Sequence, residues 1–270
     1  MLKRIIYIVL VLLASYGCIS DSNEKYLNIN KDTIIERVIP LTEYEIITYP
    51  KDSFEYYVQH LKLKKDGEKV YLYDGTLKSN QKLHLAVIDL DVGNRDLQQC
   101  ADAIFRIRAE YLFENKRYDE IAFHLTNGFV YKYSDYQAGY RLQVAANETW
   151  LEQKADFKIS YQSFREYLDE VFMYAGTLSL QNETEQLAIK DIKPGSFFVD
   201  DGHAVLVVNV AQKKGSNEKA FIIAQSYTPA QSVHLLKNFN ANSPWYESSK
   251  LNNKLVSPEW TFKISELRTY

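Results

Sequence analysis

The chain has 270 residues, 46% of them hydrophobic and 25% charged, with ten Gly and six Pro; this excludes collagen-like, low-complexity and wholly disordered material and leaves room for a sizeable core. Thirty-two Lys and Arg against 35 Asp and Glu give a net charge of −3, so no basic field exists to neutralise phosphates, and no nucleic-acid partner is expected. Two cysteines cannot build a disulfide framework or a structural zinc site. The one excess is aromatic: 21 Tyr, 13 Phe and 3 Trp suit sugar or peptide contacts and equally suit half-buried strands.

Residues 1–17 carry Lys3 and Arg4, an apolar run from Ile5 to Ala14, and small residues before Cys18, which is the form of a secretory signal. The run is short of the ~20 apolar residues a spanning helix needs. Cys18 stands where cleavage belongs, so the segment resembles a bacterial lipoprotein signal with Cys18 as the lipidated first residue; the Leu usual three positions before the cysteine is replaced by Ser15. Residues 18–30, polar at their start, read as a tether, and residues 31–270 as a single domain without repeats or internal linkers. Removing residues 1–17 takes away two basic residues and no acid, so membrane attachment is expected through lipid on Cys18 only.

Apolar spacing predicts a helix over Ser53–Leu63, a strand over Val70–Tyr73 entering the turn Asp74-Gly75, and a strand over Leu83–Val92. The clearest helix runs from Asp96 to about Asn115. Asp96 is the expected N-cap with Gln99 in the capping-box position, and Leu97, Cys100, Ala101, Ile104, Ile107 and Tyr111 share one face. Glu120–Phe129 alternates towards the turn Asn127-Gly128, and Ser163–Ala175 is a second amphipathic helix stopped at Gly176. His203–Ala211 and Ala220–Tyr227 read as strands of one hairpin closed by the polar loop Lys213–Lys219. Helices first and an antiparallel sheet later make the class α+β.

Three residues carry the candidate chemistry. Cys100 falls in the first turn of its helix, where unpaired N–H groups and the dipole favour a thiolate, although a free cysteine is just as readily a small core residue. His203 opens an apolar strand beside Gly202, a position with little bulk around the ring that suits a general base. Gln225 is a polar amide inside an apolar strand and needs a partner; a turn near residue 214 or 215 sets it across from His203 or one diagonal away, on the same face. It would then orient the imidazole, and Gln98 or Gln99 would supply an oxyanion donor. Asp89 and Asp91 share a strand face and could serve glycoside or metal chemistry, or simply end a strand in solvent. His60, His84, His124 and His234 show no metal-ligand spacing, so neither a metal nor a cofactor is expected, and His234 is either a substitute for Gln225 or a surface residue. Trp245 and Trp260 line a groove or close a core edge.

A cysteine opening a helix, the run PGSFFV, the pair Gly202-His203 opening a strand and a polar residue in the next strand together resemble the NlpC type of papain-fold cysteine hydrolases, envelope enzymes that cleave peptidoglycan peptides. That resemblance implies a papain-like α+β fold with the cysteine helix packed on an antiparallel sheet, Cys100 as nucleophile, His203 as base and Gln225 as orienter. It departs at Gln99-Cys100-Ala101, where that family has Asp-Cys-Ser, and in the roughly hundred residues between Cys100 and His203. The runs DLQQCADAIFRIRAEYL, HLTNGF, GHAVLVV, AQSYTPAQSVHLLKN and SPWY resemble a family of bacteroidete lipoproteins described as domain of unknown function 4846, which implies export and lipidation to the bacterial cell envelope, with the outer membrane the expected site, and no reaction. Two readings follow. One is an exported amidase or peptidase acting on cell-envelope peptides; the other is a non-catalytic envelope lipoprotein that binds glycan or peptide on the same scaffold.

Overall fold

The hairpin near the C-terminus supplies the frame on which everything else is hung. A computed structural model describes residues 23–146 and 148–270. Its helices are α1 (Ile34–Arg37), α2 (Phe54–Gln59), α3 (Cys100–Glu114), α4 (Tyr133–Gln137), α5 (Tyr161–Tyr174) and α6 (Thr177–Glu183). Its strands are β1 (Tyr44–Ile46), β2 (His84–Val87), β3 (Ala122–His124), β4 (Val130–Lys132), β5 (Tyr140–Ala145), β6 (Glu148–Gln153), β7 (Glu185–Gln186), β8 (Phe197–Val199), β9 (Ala204–Lys213), β10 (Lys219–Gln225), β11 (His234–Leu236), β12 (Tyr246–Glu247), β13 (Lys254–Val256), β14 (Thr261–Lys263) and β15 (Leu267–Thr269).

Antiparallel pairing orders the main sheet β2-β11-β10-β9-β8-β15-β7, with β1 on the far end of β9 and β12 on the start of β10. The helices and this antiparallel sheet make the chain α+β. Strand β9 is apolar along most of its length because both of its faces are covered. Ala204, Leu206 and Val208 enter the core beneath α3 and α2, whereas Val205, Val207 and Val210 enter a second core with Phe221, Leu255, Phe262 and Leu267. A bulge between Ile222 and Ile223 makes Val208 the extra residue of β9 and re-phases the alternation beyond it.

The expected helix over Ser53–Leu63 shortens to α2, capped by the Ser53 hydroxyl, which accepts from the Tyr56 amide at 3.1 Å. The expected strand over Val70–Tyr73 is reduced to isolated bridges at Tyr71 and Leu72. The expected tether also changes at its end: the Asn28 amide donates to the Arg37 carbonyl at 2.8 Å and the Ile39 amide to the Tyr26 carbonyl at 2.8 Å, so the chain is fastened to the body before residue 31. Residues 1–17 and Cys18 lie outside the described residues. Among the described residues, no helix is long and apolar enough to cross a membrane.

Candidate functional site

Cys100 is the first residue of α3, not the fourth as an Asp96 cap would make it. The true N-cap is Gln99, whose amide donates to Asp102 Oδ2 at 3.1 Å. Asp96 instead accepts from the Ala230 amide at 2.7 Å and from Gln99 Nε2 at 3.0 Å, a long-range tie that competes with capping. The shift places Cys100 among the N–H groups that have no partner within the helix. Its thiol lies beside the Ala204 amide on β9 and lines a cleft of about 390 Å³ together with Gln99, Asp102, Met173, Gly202 and Thr228. It is 8% exposed. Burial above all, and then the neighbouring Asp102, push the thiol up to about 11, so the resting group is a neutral thiol. Burial likewise raises the Asp102 carboxyl well above the usual carboxylate range.

His203 sits just before β9, in a turn tied by one carboxylate. Asp200 Oδ1 accepts from the Gly202 and His203 amides, both at 2.9 Å, while Asp200 Oδ2 accepts from Trp260 Nε1 at 2.8 Å. Gly202 is required here because a Cβ would stand 2.7 Å from the Trp260 ring. The imidazole packs among Tyr227 at 4.7 Å, Trp260 at 5.5 Å and Phe262 at 5.9 Å between ring centroids. Burial lowers its pKa below the ordinary value, against the pull of its Gln225 hydrogen bond, so the ring is neutral near pH 7.

The register of the hairpin brings Gln225 to the diagonal expected from the sequence. Ala224 pairs with Leu206, which sets Gln225 one step from the end of β9, and Gln225 Oε1 lies 2.9 Å from His203 Nε2. The other end of the amide donates from Nε2 to Glu259 Oε2 at 2.6 Å, and Glu259 is ion-paired with Lys78 Nζ at 2.8 Å. This chain fixes a tautomer. A carboxylate only accepts, so the Gln225 NH₂ must face Glu259 and its carbonyl oxygen must face the ring; His203 Nε2 therefore carries the proton. The lone pair is left on Nδ1, which makes no hydrogen bond among the described residues, and the residue as a whole is buried at 1% exposure. Cys100 and His203 are not directly hydrogen-bonded. The thiol lies beside the amide of Ala204, the residue after the histidine, and Gly202, the residue before it, lines the cleft, whereas His203 itself does not.

The two oxyanion candidates separate. Gln98 is buried and turned away, donating to the Asp91 carbonyl at 3.1 Å and accepting from Arg106 at 2.9 Å, so it does not reach the cleft. Gln99 does line it, with its Oε1 accepting from Thr228 at 3.0 Å. His234 is neither a surface residue nor a partner of His203: it is fully buried, with Nδ1 2.8 Å from the Ser232 carbonyl. Asp91 pairs with Arg106 at 2.9 Å and Arg165 at 3.4 Å. Trp245 closes the core, donating to the Ile39 carbonyl at 2.8 Å. Among the described residues, no group of three His, Cys, Asp or Glu side chains is placed to hold a metal ion.

A protein-family model spans residues 34–269 of the chain, from α1 to the last strand. The chain belongs to the family described as domain of unknown function 4846. No curated protein and no solved structure matches it significantly. Cys100, His203, Gln225, Glu259 and Lys78 all fall within the domain of unknown function 4846. Sequence reasoning missed Asp200, Glu259 and Lys78. Asp200 could have been found as a turn-forming carboxylate before Gly202-His203, whereas Lys78 and Glu259 reach the site from distant loops that carry no local signal.

Proposed function

We propose that the protein is an exported cysteine hydrolase of papain-like arrangement, an amidase or peptidase acting on cell-envelope peptides, anchored by lipid on Cys18. The observation that carries this reading is the chain Lys78–Glu259–Gln225–His203, which holds a neutral imidazole with its lone pair on Nδ1, one residue on from Gly202 in the wall of the Cys100 cleft. With the thiol raised and the imidazole lowered, no resting ion pair forms. The proton moves from Cys100 Sγ to His203 Nδ1 as sulfur attacks the amide carbonyl, and the developing oxyanion is met by the free amide hydrogens at the start of α3 and by Gln99. The C–N bond breaks as His203 returns the proton to the amine. Water then hydrolyses the thioester with His203 again as base and regenerates the thiol. Gln225, held by Glu259, keeps the ring in its productive tautomer and supports the imidazolium formed in each step.

The test is release of new primary amine from a mixture of peptidoglycan-derived peptides by the full chain. Activity is expected in the parent, and loss by about 10³-fold or more in Cys100→Ala and His203→Ala, the scale of removing a member of a catalytic set. Equal amine release by the parent and Cys100→Ala overturns the reading. A second reading, a non-catalytic binding lipoprotein, is favoured by one observation, the absence of a direct Cys100–His203 hydrogen bond together with a thiol raised to about 11. It expects peptide binding without turnover in the parent.

A further inference from the structure

A second cleft, of about 640 Å³, runs along the C-terminal half of α3 and is not used by the cysteine chemistry. Its size is that of a small-molecule site, within the common range of roughly 300–1,000 Å³. Its walls are tyrosines from three helices: Tyr56 and Tyr57 of α2, Tyr111 of α3 and Tyr161 of α5. Tyr57 and Tyr111 lie 5.6 Å apart, and Tyr161 is about half exposed.

The floor is built and rigid. Arg106 is fully buried and donates to Glu110, Gln98, Asp91 and Tyr161. Glu110 is more than nine-tenths buried, yet both of its donors, Arg106 Nε at 2.5 Å and Tyr161 Oη at 2.8 Å, approach the same oxygen, Oε1. Among the described residues Oε2 has no hydrogen-bond partner, and the residue lines the cleft. One turn on, Glu114 accepts from Tyr57 Oη at 3.3 Å and has no basic partner among the described residues. The cleft therefore offers carboxylate acceptors between aromatic faces.

The charge pattern selects the ligand class. Four carboxylates, Asp89, Asp91, Glu110 and Glu114, repel a phosphate, while Arg106 in the floor with Lys51 and Lys62 offsets all but one of them and weakens the attraction for a cation. A neutral ligand rich in hydroxyl donors with apolar ring faces fits both features. We propose that this cleft binds a short saccharide, its hydroxyls donating to Glu110 Oε2 and Glu114 and its ring face packing on the tyrosines. A third cleft shares Asp91 with this one and Leu97 with the Cys100 cleft. The saccharide site stands on its own residues and needs no catalysis.

The experiment is calorimetric titration of the full chain with triacetylchitotriose and, separately, maltotriose. Saturable binding of at least one sugar is expected, weakened fivefold or more in Tyr161→Ala and in Glu114→Gln, each melting with the parent, and unchanged in Cys100→Ala. Tyr56→Ala is the replacement if either variant fails to fold. No saturable binding up to about 20 mM sugar, well above the ~1 mM of a weak specific site, overturns the proposal, as does equal affinity in parent and cleft variants. Because an inactive chain can still bind sugar and an active one can fail to, this result separates from the fate of the hydrolase reading.

Discussion

Glu259 decides which nitrogen of His203 carries the proton, although it never touches the ring. Replacing it by an amide removes the acceptor-only neighbour that orients Gln225, and the Gln225 side chain is then free to turn its NH₂ to the imidazole. Glu259→Gln should move the proton of His203 from Nε2 towards Nδ1, visible in the two ring ¹⁵N shifts, with amide-hydrolysing activity falling by roughly 10²-fold, the usual contribution of general base catalysis. Unchanged shifts would detach Glu259 from the site. Gly202 offers a steric test of the same spot. A Cβ there meets two Trp260 ring atoms at 2.7 and 2.8 Å, so Gly202→Ala should cost about 1–3 kcal/mol in a urea titration as the indole is displaced from Asp200 and His203. Of the residues at the site, Cys100, His203 and Gln225 are legible in the sequence because each violates its local pattern: a thiol at a helix start, and polar side chains in apolar strands. Lys78 and Glu259 violate nothing; Glu259 is 34 residues from the amide it orients.

At the scale of elements, the turn before β9 is what aims the imidazole. Asp200→Ala removes acceptors for the Gly202 and His203 amides and for the Trp260 indole. We expect a loss of about 2–3 kcal/mol by urea unfolding, from three hydrogen bonds at ~1 kcal/mol each, and a fall in kcat larger than the rise in KM. A variant as stable and as active as the parent would show that the turn holds without its carboxylate. The hairpin of β9 and β10 was readable because its apolar runs and polar loop set the register within one residue, and the bulge at Ile222/Ile223, between that loop and Gln225, supplies the one-residue shift that brings Gln225 onto the diagonal of His203. The start of α3 was not readable. Asp96 is the better capping residue by type, but a contact with Ala230, 134 positions away, engages it, and Gln99 with Asp102 caps instead. The β5–β6 hairpin escaped notice because its residues are mostly exposed or half-buried and show little periodicity.

At the scale of the whole molecule, burial of neutral histidines sets an acid limit. His234 is completely buried and its pKa falls to about 3, with desolvation the main cause; His203 and His84 are lowered for the same reason. Each has a folded pKa below the unfolded value of ~6.5, so the unfolded chain binds more protons in that window and stability is lost as pH falls from about 6.5 towards 3. Asp102 and Glu183, raised by burial, pull the opposite way, so the difference between proteins is the informative quantity. His234→Gln should flatten the decline in melting temperature between pH 6.5 and 4 relative to the parent; parallel curves would show that His234 does not drive it.

If His203 draws the proton from a buried, neutral Cys100 thiol, the rate of Cys100 alkylation by iodoacetamide depends on both the histidine and pH. It should be followed by peptide mass spectrometry on the folded full chain and on His203→Ala. The parent should be labelled without unfolding and about tenfold faster than His203→Ala near pH 7.5, with the variant catching up only as the pH climbs towards the raised thiol pKa of about 11. Superimposable profiles, or labelling that appears only on unfolding, would make Cys100 a core residue and contradict the account.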